Sequence, residues 1–337
     1  MMRVGVLGAG SWGTALAIHA ASTGASVKLW TRRQELAEQL VGERCNSTYL
    51  PGAEFPDNLT PTADVSTLAG SEIVFVVVPS HGYREVTRLF LEKVKGEDAQ
   101  IMISATKGIE TESLARMSQV TEEEAAAANR SIRFAVLSGP TFAAELAAGC
   151  PSAAVLASSD EELASRLVEQ LSTSKFRLYS STDVVGVELA GTAKNVIAIG
   201  AGIVSGLELG HNTLAALITR GLHEMRRLGV AYGGQSRTFA GLAGLGDLVL
   251  TCTGGLSRNR RTGMELAAGR SLEEIQQGTS MVAEGVRNSL SITRLAERQG
   301  IEMPICEQMM ALIYEGKSTQ DTIRELMTRE LKSELAL

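Results

Sequence analysis

Near the N-terminus, Gly8-Ala9-Gly10-Ser11-Trp12-Gly13 sets three glycines at the spacing G-x-G-x-x-G, directly after the apolar run Val4–Leu7. Such a turn brings main chain close to a bound anion. The first glycine makes the bend, the second opens the approach to a pyrophosphate, and the third lets the next helix press on the strand. The helix start adds free N–H groups and a positive dipole end. Gly8, Gly10, Ser11, Trp12 and Gly13 are therefore expected to bind a dinucleotide. Arg32 and Arg33 close a second apolar run, Val27–Trp30, where an acidic residue would otherwise accept from a ribose 2′-hydroxyl. Two guanidinium groups suit a 2′-phosphate instead. The expected cofactor is NADPH, in preference to NADH; solvated arginines at a helix start are the plainer alternative.

Lysine is the other chemical candidate. Lys194 lies in GVELAGTAKNVIAIGAG, a helical stretch almost free of charge. An ammonium there loses hydration, which lowers its pKa and makes it a usable acid or base; an ion-paired structural lysine is the alternative. Lys107 follows the apolar run Ile101–Ser104, at the sheet edge where ligands of open α/β folds gather. Asp247, between AGLAGLG and an apolar run, could orient Lys194, accept from a substrate hydroxyl, or cap a helix. Thr251, one turn on, is a weaker candidate for the same pocket. Ser257, Arg258 and Asn259 follow Gly254-Gly255 and lead into a helix, a combination suited to a phosphate dianion. Arg260 and Arg261 are expected to face solvent. The four histidines are scattered, and His223-Glu224 lacks a second histidine at zinc-binding spacing, so no metal is assigned. Acid–base chemistry must then rest on lysine.

These groups need elements to position them. Val4–Leu7, Val27–Trp30, Ile73–Val78, Ile101–Ser104 and Phe134–Ser138 read as buried strands, with Ala153–Ala157 and Phe176–Tyr179 extending them. Helical stretches at Thr14–Thr23, Gln34–Leu40, Arg84–Val94 and Glu161–Leu171 separate them, which implies crossovers and a mainly parallel sheet. After Ser181 strand alternation disappears. Glu188–Val204, Leu214–Leu228, Arg261–Ala268, Leu272–Gln276, Val286–Gln299 and Ile305–Glu315 read as helices. The expected organisation is a dinucleotide-binding α/β domain at 1–181 and an all-helical substrate domain at 182–337. Thr121–Ala128, TEEEAAAA, reads as an exposed helix or flexible insertion without a functional role.

At 337 residues, two domains are the default. A net charge of −6 argues against a general binder of nucleic acid or anionic membrane. Cys45, Cys150, Cys252 and Cys306 form no cluster, which suggests reduced thiols in the cytoplasm and no disulfide framework. The glycines near the N-terminus break up what would otherwise resemble a signal peptide, and no uncharged apolar stretch has the length of a membrane span. The helical half can support a homodimer, although no sequence pattern decides it.

Four further segments join the glycine fingerprint: Ser104–Gly108 (SATKG), Ser138–Ala143 (SGPTFA), Glu188–Gly202, and Gly241–Arg261 with GLAGLGDLVLTCTGGLSRNR. Together they resemble the bacterial glycerol-3-phosphate dehydrogenase (NAD(P)+) family over nearly the whole chain. The resemblance implies a Rossmann-type domain followed by a helical one, and interconversion of sn-glycerol 3-phosphate and dihydroxyacetone phosphate, a triose phosphate, for glycerophospholipid synthesis. It implies Lys194 as proton acceptor in alcohol oxidation, and Lys107 and Asp247 beside the substrate, with Lys107 also at the cofactor. It implies Ser257, Arg258 and Asn259 at the substrate phosphate, with Arg258 reaching the cofactor. Gly139, Thr141 and Ala143 border nicotinamide and substrate, and Val282 and Glu284 belong to a segment that closes over the cofactor. A β-hydroxyacid or 6-phosphogluconate dehydrogenase, or a dinucleotide sensor without turnover, are the rival readings.

Overall fold

In a computed structural model, residues 1–94, 100–277, 283–331 and 333–334 are described, and the chain divides into two compact units. The first comprises Met1–Lys107 and Ala115–Val184; the second comprises Gly108–Leu114 and Val185–Leu337. The short 108–114 segment therefore belongs with the helical unit, which nothing in its sequence announces.

Among the described residues, ten strands lie in the first unit: β1 (Arg3–Leu7), β2 (Ser26–Trp30), β3 (Cys45–Asn46), β4 (Leu50–Glu54), β5 (Leu59–Thr62), β6 (Ile73–Val76), β7 (Gln100–Ser104), β8 (Ile132–Ser138), β9 (Ser152–Ala157) and β10 (Phe176–Ser181). Eight form one sheet in the order β10-β9-β8-β7-β6-β1-β2-β5, while β3 and β4 make a small hairpin. All neighbours in the large sheet are parallel except β8 and β9. The strands are continuous apolar runs because helices cover both faces. In β6, Ile73 and Phe75 enter one buried layer, Val74 and Val76 the opposite one. The chain leaves β1 for β2 on one side and reaches β6 on the other. That reversal places a ligand crevice at the carboxyl ends of the central strands.

The helices of this unit are α1 (Ser11–Ser22), α2 (Gln34–Glu43), α3 (Ser80–Lys93), α4 (Met117–Ala127), α5 (Ala143–Ala147) and α6 (Glu161–Leu171). Two expectations need correction. The TEEEAAAA segment is a helix exposed on one face only: Glu122, Glu123, Ala126 and Ala127 are exposed, but Thr121, Glu124 and Ala125 are buried. It sits in α4, where the almost fully buried Glu124 accepts from Arg84 and Arg88 of α3 at 2.8 Å each. Two guanidinium groups lower its pKa, so the carboxylate is buried as a paired charge. The edge strand β5 was also unexpected. Its LTPT sequence lacks an apolar run, and Pro61 is tolerated because β5 pairs on one side only, with β2.

The second unit contains no strand among the described residues. Its helices are α7 (Val184–Gly206), α8 (Gly210–Ala231), α9 (Ser236–Phe239), α10 (Asp247–Thr253), α11 (Arg258–Ala267), α12 (Leu272–Gln277), α13 (Glu284–Arg298), α14 (Pro304–Tyr314) and α15 (Thr319–Met327), with α7 opening at the unit boundary. The 23-residue α7 is long and apolar enough to cross a membrane, yet its apolar window is wholly buried by protein. It is the central core helix. Glycines permit that burial: a Cβ on Gly202 would lie 2.0 Å from the Arg260 carbonyl oxygen, and one on Gly263 would lie 2.0 Å from that of Ile199. Helices α7 and α11 therefore cross backbone to backbone.

Candidate active site

In the first unit the glycine turn has the backbone geometry expected of each glycine. Gly8 has φ +116°, and a Cβ there would meet the Val77 carbonyl oxygen at 2.4 Å. Gly13 in α1 presses on the turn, since a Cβ would lie 1.8 Å from the Gly8 carbonyl oxygen. Gly10, the residue before α1, differs: nothing lies within 4 Å of a Cβ placed there. That open space over a helix N-terminus fits a pyrophosphate. Ser11 is the first residue of α1, and the indole N–H of Trp12 is buried with no hydrogen-bond partner among the described residues. The turn is fastened by Asn46 of β3, which no sequence pattern marks. Its fully buried amide donates to the Ala9 carbonyl (3.0 Å) and to the Thr14 hydroxyl (2.8 Å), and accepts from the Tyr49 N–H (3.1 Å). Tyr49 in turn holds Arg33, whose guanidinium donates to the phenol oxygen (3.0 Å) and lies 5.6 Å from the ring centroid. Arg32, at the same strand end, is exposed.

Further along that edge, Lys107 donates from Nζ to the Gly139 carbonyl at 3.0 Å, and the Thr141 hydroxyl donates to the same oxygen at 3.2 Å. Three residues named from sequence are thus gathered beyond β7 and β8. Gly139 has φ +154°, and a Cβ there would lie 2.8 Å from the Ala154 Cα, so the turn is closed to any larger residue. Ala143 begins α5 and packs against the core beneath.

In the second unit Lys194 is 6% exposed, and its Nζ donates to the Asp247 carboxylate Oδ1 (2.9 Å) and to the Thr251 hydroxyl oxygen (2.7 Å). The Thr251 hydroxyl gives its proton to the Asp247 main-chain carbonyl (2.6 Å) and so presents a lone pair to the ammonium. Asp247 does not cap its helix. Gly246 is the preceding cap residue, and a π-helical turn at Leu242–Gly246 delivers Asp247 one residue inside α10 with its carboxylate on Lys194. The π turn depends on Gly244, where a Cβ would meet the Phe239 carbonyl oxygen at 2.2 Å. Beside the pair, burial pushes the Cys252 thiol up to about 12, against the pull of the Lys194 charge. That thiol stays neutral and inert.

The Ser257–Arg258–Asn259 segment divides its labour. Ser257 caps α11, its hydroxyl accepting from the Arg260 N–H at 3.2 Å. Arg258 is solvent-accessible yet crowded enough that desolvation lowers its pKa, opposed by the Glu284 charge. Asn259 is 8% exposed and turned inward, donating to Asn195 Oδ1 (2.8 Å) and accepting from the Gly285 N–H (2.9 Å). Arg260 is not solvent-facing as expected, because it crosses to the end of α7 and donates to the Ser205 hydroxyl at 3.1 Å; Arg261 is exposed. Glu284 opens α13. Val282 lies outside the described residues. Among the described residues no cluster could hold a metal ion.

A dinucleotide turn at a parallel-sheet edge, followed by a helical unit with a buried lysine–carboxylate pair, defines a nicotinamide-dependent oxidoreductase. Comparison with known proteins narrows the class. Residues 3–164 match the family model for the NAD-dependent glycerol-3-phosphate dehydrogenase N-terminus, and residues 183–324 the model for its C-terminus. The chain belongs to that family. It is 50% identical over 341 residues to a glycerol-3-phosphate dehydrogenase (NAD(P)+) of Koribacter versatilis (strain Ellin345), with 100% of both chains covered. It is 48% identical to one of Nitratidesulfovibrio vulgaris (strain DP4), covering 99% of this chain and 100% of that one. A crystal structure of glycerol-3-phosphate dehydrogenase from Coxiella burnetii has a TM-score of 0.92 and 39% identity, covering 97% of this chain and 99% of its own.

Proposed function

We propose that the chain reduces dihydroxyacetone phosphate reversibly to sn-glycerol 3-phosphate, and that Lys194 carries the proton. The observation that supports this role is the Lys194–Asp247–Thr251 arrangement, an ammonium fixed by two acceptors in an otherwise apolar core. A buried ion pair contributes little net stability, so its value lies in orientation. When bound, NADPH or NADH supplies the hydride that adds to C2 of the ketone. Lys194 donates a proton to the carbonyl oxygen as negative charge develops there, and takes it back in the oxidative direction. Asp247 and Thr251 keep the ammonium aimed. Ser257 and Arg258 are assigned to the substrate phosphate, with Asn259 behind them, and Lys107, Gly139 and Thr141 are assigned to the substrate. Gly8–Gly13 hold the pyrophosphate, and Arg32 and Arg33 the 2′-phosphate; Lys107, Ala143, Arg258, Val282 and Glu284 complete the cofactor contacts. The product feeds glycerophospholipid synthesis in the cytoplasm.

Purified protein with dihydroxyacetone phosphate and NADPH should lose absorbance at the reduced-nicotinamide band, and Lys194→Ala should not. Near-normal turnover by that variant removes Lys194 from the mechanism. Faster reaction with hydroxyacids than with triose phosphate moves the assignment to the hydroxyacid dehydrogenases.

A further inference from the structure

Three helices of the second unit carry candidate site residues: Lys194 on α7, Arg258 on α11, and Glu284 at the start of α13. They meet along buried polar contacts inside an apolar core. Asn195, the residue after Lys194, accepts from Asn259 of α11 at 2.8 Å; Asn259 accepts from the Gly285 N–H of α13 at 2.9 Å. One turn further along α13, Asn288 donates from Nδ2 to the Thr192 carbonyl at 3.3 Å, two residues before Lys194. Asn288 and Thr192 are both 0% exposed, and Asn195 is 4% exposed. The ring closes through the α7–α11 glycine crossing, where nothing separates the backbones, and at Gly285, where a Cβ would lie 2.5 Å from the Asn195 carbonyl oxygen.

The two amide ties grip α7 on either side of Lys194, at 192 and at 195. A helix held at both points can neither rotate nor slide without breaking a buried hydrogen bond, and a buried polar group left without its partner costs about 1–3 kcal/mol. An apolar side chain at 288 would pack as well, so packing alone does not require an amide there. We infer that Asn288 is a positioning residue for the reaction, setting the axial position of α7 so that Lys194 meets both the Asp247 carboxylate and the ketone. It touches neither substrate nor cofactor in this assignment. The inference rests on the role proposed above for Lys194.

The test compares wild type with Asn288→Leu, nearly isosteric but without the donor, and with Asn288→Asp, which keeps the shape and loses the N–H. Both should give native circular dichroism and bind NADPH, followed by its fluorescence, within about threefold of wild type. Their kcat should fall about ten- to a hundredfold with KM for dihydroxyacetone phosphate changed far less, since a misplacement near 1 Å has that effect. The alkaline limb of the kcat profile should move to lower pH, because a Lys194 ammonium held further from Asp247 is less stabilised. A purely structural role would lower Tm and leave that limb in place. Folded variants with kcat and pH profile within twofold of wild type overturn the inference. Should both variants fail to fold, Asn288→Ser, which adds no bulk, is measured in the same way, and the same outcomes support or overturn the inference. A wild type that never oxidises NADPH with any triose phosphate removes the functional reading itself, and the inference with it.

Discussion

The glycine turn of the first unit and the lysine centre of the second solve opposite problems. The turn is built of main chain and kept open: Gly10 faces open space, and Arg32 is exposed beside it. The lysine centre is built of side chains and kept closed, with Lys194, Asp247 and Thr251 all buried and already bonded to one another. A dinucleotide brings its own charge and shape, so its site needs only donors and room. A proton must be transferred at one atom, so its carrier needs fixed neighbours before the substrate arrives.

That contrast is broken most directly at Lys194. Lys194→Met keeps the stem and removes the charge, and kcat should fall by about three orders of magnitude, the middle of the range for a lost acid–base group. NADPH binding should survive within about threefold, because the turn lies in the other unit. Uncompensated Asp247 should also reduce stability by about 3 kcal/mol. If NADPH affinity falls as steeply as kcat, the two regions are not the separate devices described.

The glycines allow a sharper version. Gly13→Ala puts a methyl group against the Gly8 carbonyl oxygen, at a distance of 1.8 Å that no rotamer can relieve. Thermal unfolding should reveal a loss of about 3 kcal/mol, near the top of the range for overpacking. Gly10→Ala meets no protein atom within 4 Å. Its Tm should stay within a few degrees of wild type while the Kd for NADPH rises about tenfold, equivalent to about 1.4 kcal/mol of blocked pyrophosphate contact. Equal destabilisation by the two substitutions would show that Gly10 serves the fold and not a ligand.

The same contrast accounts for what the sequence reveals. Gly8, Gly10 and Gly13 are legible because their turn geometry follows from spacing after a strand, and the apolar runs of β1, β6 and β7 are legible because burial on both faces leaves them continuous. Lys194 is conspicuous as a cation in an apolar helix. Its partners are not, for Asp247 and Thr251 lie more than fifty residues away, and the π turn that aims them has no pattern of its own. Asn46 and Asn288 illustrate the limit. An amide alone has no periodicity, and only tertiary contacts disclose that one fastens the turn and the other ties α7. Asn259 is expected at the substrate phosphate, yet its side chain is bonded to Asn195 and to the Gly285 N–H, an orientation that no spacing encodes. TEEEAAAA misleads because three consecutive carboxylates look solvated: Glu122 and Glu123 are exposed, whereas Glu124 is buried and compensated by Arg84 and Arg88 from forty and thirty-six residues away.

A second closed carboxylate in the helical unit tests whether sealing charge there has an energetic signature. Glu224 of α8 is 3% exposed and accepts from the Ile305 N–H (2.7 Å) and the Cys306 N–H (3.2 Å), capping α14 from outside. Desolvation outweighs these bonds and raises its pKa from 4.5 to about 7. The native state therefore keeps a proton that the unfolded chain releases near the ordinary value. The resulting stabilisation is fully present below pH 4.5 and is lost as pH rises through about 7. The total is about 3 kcal/mol at 1.36 kcal/mol per unit. Glu224→Gln should flatten that fall in a denaturant-unfolding series. A wild-type slope that persists unchanged in the variant would assign the dependence to another group.

The smallest expected effect concerns the open region, where two adjacent arginines have different surroundings. Both are exposed, but Arg33 is already committed to Tyr49, through a hydrogen bond of 3.0 Å and the ring face. A guanidinium held against an aromatic face is oriented in advance and loses less entropy on binding a phosphate. Arg33→Ser should therefore weaken NADPH more than Arg32→Ser, by about tenfold against about threefold, with NADH nearly unaffected in both, since only the 2′-phosphate distinguishes the cofactors. Tyr49→Phe, which keeps the ring and removes the bond, should fall between wild type and Arg33→Ser. Fluorescence titration of each variant with both cofactors gives the ranking directly. Equal losses for NADPH and NADH would mean that the pair supports the adenosine end in general. In that case the open region would discriminate through nothing beyond its shape.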